Sequence, residues 1–134
     1  MQPVFDALWG SDGGMYERRL GRSRMRAMNR FAAVRAAGMP LAFGSDAPVT
    51  PLGPRPAIRA ATEHHRSDQR LGQEDARIAH SVAGWRAVGI DDAGTITVGA
   101  PAHLAIWAPD AADDAPALRT LVHGRTVHDT GVLP

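Results

Sequence analysis

The chain has 134 residues, 44% of them hydrophobic and 22% charged, which fits one folded domain and excludes a disordered or collagen-like segment. It contains no cysteine, so disulfides, thiolate metal sites and cysteine nucleophiles are excluded. All fifteen basic residues are arginine, which also removes Schiff-base, phosphate-loop and carbamylated lysines. The net charge of +1 gives no reason to expect nucleic acid or a membrane as partner, but it hides an asymmetry. Residues 1–70 carry +5 and residues 71–134 carry −4. No stretch has the length of a transmembrane span and no signal-peptide pattern is visible, so the expected setting is the cytosol.

In chain order, the first ten residues read as the end of a strand entering a loop at Gly10, Gly13 and Gly14. Met25, Met28, Phe31 and Ala32 fall at helical spacing, which predicts one helix from Ser23 to Ala37 with Gly38 as its stop. Leu41–Gly44 is a short apolar run of the kind buried in a parallel sheet, and a proline-rich loop follows it. A second helix is expected from about Pro56 to His65 or Arg66, and a third from Glu74 to Val88 with a break near His80–Ser81. Thereafter the pattern is strand-like: Thr95–Val98, His103–Trp107, Leu118–Val122 and Thr126–His128, the last two joined as a hairpin around Gly124. Asp110–Ala115 is an acidic loop between strands. The order predicts an α/β class followed by a β layer, with too few strands to bury both faces of an α/β sheet.

Asp46 is the strongest candidate for chemistry. It lies just past Leu41–Gly44, where the C-terminal end of a parallel strand opens into a loop, and Pro48 and Pro51 stiffen that loop. The same residue type also serves routinely in turns. His64 and His65 are adjacent, so on a helix they diverge by about 100° and read as exposed residues near a helix C-terminus rather than a chelating pair. His80 falls in the helix break, His103 at a strand start facing water, and His123 and His128 on either side of the hairpin turn. No HxH or HExxH occurs, and no self-contained metal site is expected from these histidines. The arginines between Arg18 and Arg35 read as a solvated helix face, and no G-x-S-x-G elbow is present.

Gln2-Pro3-Val4-Phe5-Asp6, Met28-Asn29-Arg30-Phe31 and Gly38-Met39-Pro40-Leu41-Ala42-Phe43-Gly44-Ser45-Asp46-Ala47-Pro48-Val49 resemble the closing part of amidohydrolase family 3. Gly94-Thr95-Ile96-Thr97-Val98-Gly99-Ala100-Pro101-Ala102-His103-Leu104 and Val122-His123-Gly124-Arg125-Thr126-Val127 resemble the family's tail motifs. The resemblance implies the last two strands and helices of a (β/α)₈ barrel over residues 1–90, and strands of a small composite β-sandwich over 91–134. It implies a metal-dependent hydrolase acting on non-peptide C–N bonds of small-molecule amides, with a divalent metal, zinc, in the complete enzyme. Asp46 matches the strand-eight aspartate that contacts the metal and moves a proton between water and leaving group.

The family's other metal-ligating residues have no match here, and His103 and Arg55 replace its usual aspartate and aromatic. Hence the isolated chain is expected to be inactive and to bind no metal tightly. The alternative is a non-catalytic fragment that docks on a separate N-terminal part. A weaker third reading is a small independent α+β binding domain.

Overall fold

The computed structural model describes residues 1–133. Among these residues, seven short helices precede a three-stranded antiparallel sheet, a mixed helix-and-sheet arrangement in keeping with the α/β expectation. The helices are α1 (Pro3–Trp9), α2 (Met15–Leu20), α3 (Arg22–Arg26), α4 (Phe31–Ala36), α5 (Pro54–Thr62), α6 (Gln73–His80) and α7 (Val82–Ala87). A 3₁₀ turn, Ser67–Gln69, lies between α5 and α6. The strands are β1 (Leu104–Ile106), β2 (Arg119–Val122) and β3 (Arg125–Asp129). Among the described residues, no helix is long and apolar enough to cross a membrane.

Several expectations need correction. Seven of the first ten residues, Pro3–Trp9, are helical rather than extended, with Pro3 at the first position of α1, where no N–H is required. Only Met1 is paired: its ammonium donates to Ala42 O at 2.6 Å, and Gly44 N–H donates to Met1 O at 3.0 Å. These two bonds have the register of a parallel pair with Met1 opposite Phe43. Leu41–Gly44 is therefore not a laddered strand. It pairs with one residue on one side, and Phe43 N–H finds Ala79 O, at the end of α6, at 2.8 Å.

The expected Ser23–Ala37 helix is split into α3 and α4. Asn29 between them has φ +51, a left-handed conformation that no helix continues through. Gly38 is the predicted stop. At φ +72 it lets Gly38 N–H reach Arg35 O (2.9 Å) and Met39 N–H reach Val34 O (3.3 Å), the paired bonds of a Schellman ending. Helix α5 begins two residues before the expected Pro56 and ends before His64. The break at His80–Ser81 is where the sequence places it, Ser81 leaving helical geometry at ψ −88.

Thr95–Val98 is not a strand. Ile96 and Val98 are 90% and 109% exposed and have no partner to ladder with. The hairpin is present, with positive φ at both His123 (+48) and Gly124 (+74), as a two-residue turn matched to strand twist requires. Its register is offset between Thr120 and Leu121.

One apolar cluster unites the helices: Phe31, Leu41, Phe43, Ala61, Leu71, Ala76 and Ala79. Phe31 and Phe43 meet edge-to-face at 5.2 Å. The sheet is a single layer, every residue of β3 being exposed. Arginines of α5 tie the acidic loop to the helical part, Arg59 to Asp113 at 2.8 Å and Arg55 to Ala111 O, so the charge asymmetry of the two halves is partly internal complementarity. Trp85 of α7 stacks on His103 at 4.9 Å. The accessible surface is 8476 Å². A closed monomer of this mass exposes about 6,800 Å², so the chain leaves some 1,700 Å² more than compactness requires.

Candidate functional site: an exposed Asp46 and a buried Asp6–His64–His65 cluster

Asp46 follows the extended run that pairs with Met1. Both segments leave that parallel pair at the same end, where loops of α/β folds collect functional groups. The residue is exposed, with φ +59, a left-handed backbone that Asp tolerates better than most side chains. Its turn is held from below. Thr50, fully buried, donates its hydroxyl to Ser45 O, Val49 N–H donates to Asp46 O at 2.9 Å, and Ala47 N–H donates to Ser45 Oγ at 3.2 Å. The carboxylate is thus presented outward on a braced loop.

Among the described residues, Asp46 belongs to no group of three side chains placed to share an ion. Among the described residues, the three-residue set able to hold an ion is Asp6, His64 and His65. The donor set around Asp46 does not, by itself, fit the divalent metal that the resemblance implies.

The second cluster contradicts the reading of His64 and His65 as exposed helical residues. Helix α5 ends at Thr62, the chain turns, and His64 is 1% exposed. The two rings stack at 4.6 Å, and because they lie beyond the helix they can converge: His64 Nε2 and His65 Nδ1 approach the same atom, Asp6 Oδ1, at 3.1 and 2.6 Å. Asp6, also 1% exposed, is carried inward by α1 and accepts His65 N–H on Oδ2 at 3.2 Å.

Bonds at both ends assign the His64 tautomer. Arg66 N–H donates to Nδ1 at 3.0 Å, so Nε2 carries the proton and donates it to Asn29 O at 2.9 Å. Burial pushes the His64 imidazole below its ordinary pKa, against the pull of Asp6, which agrees with a neutral ring. Phe31 packs edge-on to it at 5.2 Å and joins the cluster to the core.

Asp6 had no signal in the sequence as a site residue: nothing in the spacing links position 6 to positions 64 and 65. His80 lies at the helix break, as expected, its pKa lowered by burial against a hydrogen bond to its own backbone. His103 is sandwiched rather than turned to water, and its second neighbour is His123, at 4.2 Å between ring centroids. His128 Nε2 meets Ala117 O at 2.9 Å. Arg55 is an anchor for the acidic loop.

In comparison with known proteins, residues 1–128 match the model of the amidohydrolase family. No curated protein and no solved structure is matched significantly. The match runs from the segment paired with Leu41–Gly44, through the Asp46 loop and almost to the end of β3. The chain belongs to amidohydrolase family 3.

Proposed function

We propose that this chain supplies the acid–base carboxylate of a metal-dependent amidohydrolase acting on non-peptide C–N bonds of small amides, and that it is inactive alone. One observation carries the reading: Asp46 stands outward on a braced loop at the exit of a parallel pair, the position at which barrel enzymes gather reacting groups. In that place a carboxylate can take a proton from the attacking water and deliver it to the departing nitrogen. Because the residues around Asp46 do not form a metal centre, the family's divalent ion, zinc in this reading, has to be held with ligands from another body. We assign residues 1–90 to the end of a (β/α)₈ barrel and residues 91–134 to strands of a β-sandwich shared with that body. The open surface and the unpaired, fully exposed Ile96 and Val98 agree with this incompleteness.

The test is amide hydrolysis with added Zn²⁺ by the purified 134-residue chain, alone and mixed with a separately expressed N-terminal part of a family enzyme. Activity is expected only in the mixture and is expected to vanish with Asp46→Asn. Metal-dependent turnover by the chain alone would overturn its inactivity. Turnover by the mixture that Asp46→Asn leaves intact would overturn the role of Asp46. The same surplus surface favours a second reading, a non-catalytic fragment that docks on a separate N-terminal part. Tight association without turnover would select it.

A further inference from the structure

We propose that Asp6, His64 and His65 form a binding site for a divalent transition ion of the zinc class, separate from Asp46. The donors suit such an ion: two imidazole nitrogens and one carboxylate oxygen, all within 4.8 Å of one another. A tetrahedral ion with bonds of about 2.0–2.1 Å holds its ligands about 3.3 Å apart, so the observed 3.1 and 2.6 Å separations open by about 0.2 and 0.7 Å to admit it.

Three further observations point to an occupant. Asp6 Oδ1 and both ring nitrogens of His65 are buried without a hydrogen-bond partner, although Oδ1 and Nδ1 lie 2.6 Å apart. Native structures rarely leave such groups unsatisfied. Gly10 adjoins the same atoms: a Cβ there would lie 2.5 Å from Asp6 Oδ1 and 2.8 Å from His65 Nδ1. Its φ of −87 and ψ of −9 are open to any residue, so glycine is needed at this position for space and not for conformation. Finally, Asp6 and His65 both line a cavity of about 420 Å³, which gives an ion a way in and leaves room for water as a fourth ligand.

The site has one internal cost. In the metal-free chain His64 Nε2 carries the proton, so coordination through Nε2 moves that proton to Nδ1 and gives up the bonds with Asn29 O and Arg66 N–H. Asp6 and His65 are therefore the ligands that engage first, and His64 completes the set in its other tautomer. Exchanging those bonds weakens binding about tenfold relative to a site whose tautomer is already set.

The experiment is titration of the intact 134-residue chain with Co²⁺, followed by visible absorption, and with Zn²⁺, followed by uptake stoichiometry and melting temperature. One equivalent is expected to bind, with tetrahedral Co²⁺ bands and a Zn²⁺-dependent rise in melting temperature. Gly10→Ala, which fills the gap without removing a ligand, and His65→Gln are each expected to abolish both signals. Asp46→Asn is expected to leave them unchanged, which separates this site from the proposed catalytic one. Failure of the wild-type chain to take up a stoichiometric ion would overturn the proposal. So would binding that survives both Gly10→Ala and His65→Gln, because the ion would then sit elsewhere. Loss of the ion in Asp46→Asn would also overturn it.

Discussion

Replacing Phe31 by Ala tests whether the helical part is held by one shared core. Phe31 is the largest fully buried side chain, and its ring meets two others edge-on, Phe43 at 5.2 Å and 64° and His64 at 5.2 Å and 89°. Truncating a buried Phe costs about 3–5 kcal/mol, and two aromatic contacts of this kind place the loss near the upper end. A chain of this length has about 7–20 kcal/mol of stability in total, and its open surface puts it toward the lower figure. The substitution therefore removes about half of the stability. The expected result is a melting temperature lower by about 12–25 °C and a matching fall in the urea midpoint, followed by far-ultraviolet circular dichroism. Ile96→Ala is the comparison: at 90% exposure it is expected to shift stability by less than about 0.5 kcal/mol. If Phe31→Ala moves the midpoint no further than Ile96→Ala does, the shared core is refuted.

Gly94 has φ +82, and a Cβ there would meet Val82 Cα at 2.8 Å and Trp85 Cδ1 at 2.9 Å. Gly94→Ala is thus expected to cost about 2–4 kcal/mol in chemical denaturation, and equality with Gly99→Ala, whose surroundings are open, would contradict the close packing of this loop on α7. Asp113→Ala removes the partner of Arg59 and Arg55 and should lower stability by about 0.2–1 kcal/mol in dilute buffer, the difference fading in about 1 M salt. A loss that ignores salt would assign the effect to packing instead. Burial holds the pKa of His80 below its ordinary 6.5, so the unfolded chain takes up that proton first. The contribution of His80 is fully present above pH 6.5 and is lost as the pH falls from there toward the folded-state value. The melting temperature of the chain should therefore drop on acidification through this window, less steeply in His80→Gln, and an identical slope in the two proteins would exclude His80 as a cause.

The local signals in this sequence were reliable where a single residue's backbone or a short turn decides the outcome. Gly38 stops its helix through a left-handed cap, His80–Ser81 breaks the third helical stretch, and His123–Gly124 turns the hairpin, because each depends on neighbours a few positions away. The family motifs were equally legible, since they are strings of residues and require no geometry. Misreadings arose where a partner had to be supplied. Thr95–Val98 has strand composition but no neighbour to pair with, and Leu41–Gly44 has only Met1 and Ala79 at its edges, so neither becomes a laddered strand.

The sequence by itself determined the helix stop at Gly38, the C-terminal hairpin, the loop that carries Asp46 and the family to which the chain belongs. Only the tertiary structure decided what meets Asp6. Its partners are 58 and 59 positions away, beyond the end of α5, and their convergence depends on how α1 packs against α5 and where that helix stops. No periodicity encodes such a meeting: a side chain's spacing states which face of its own element it occupies, while the choice of opposing face is made by the packing of the whole chain.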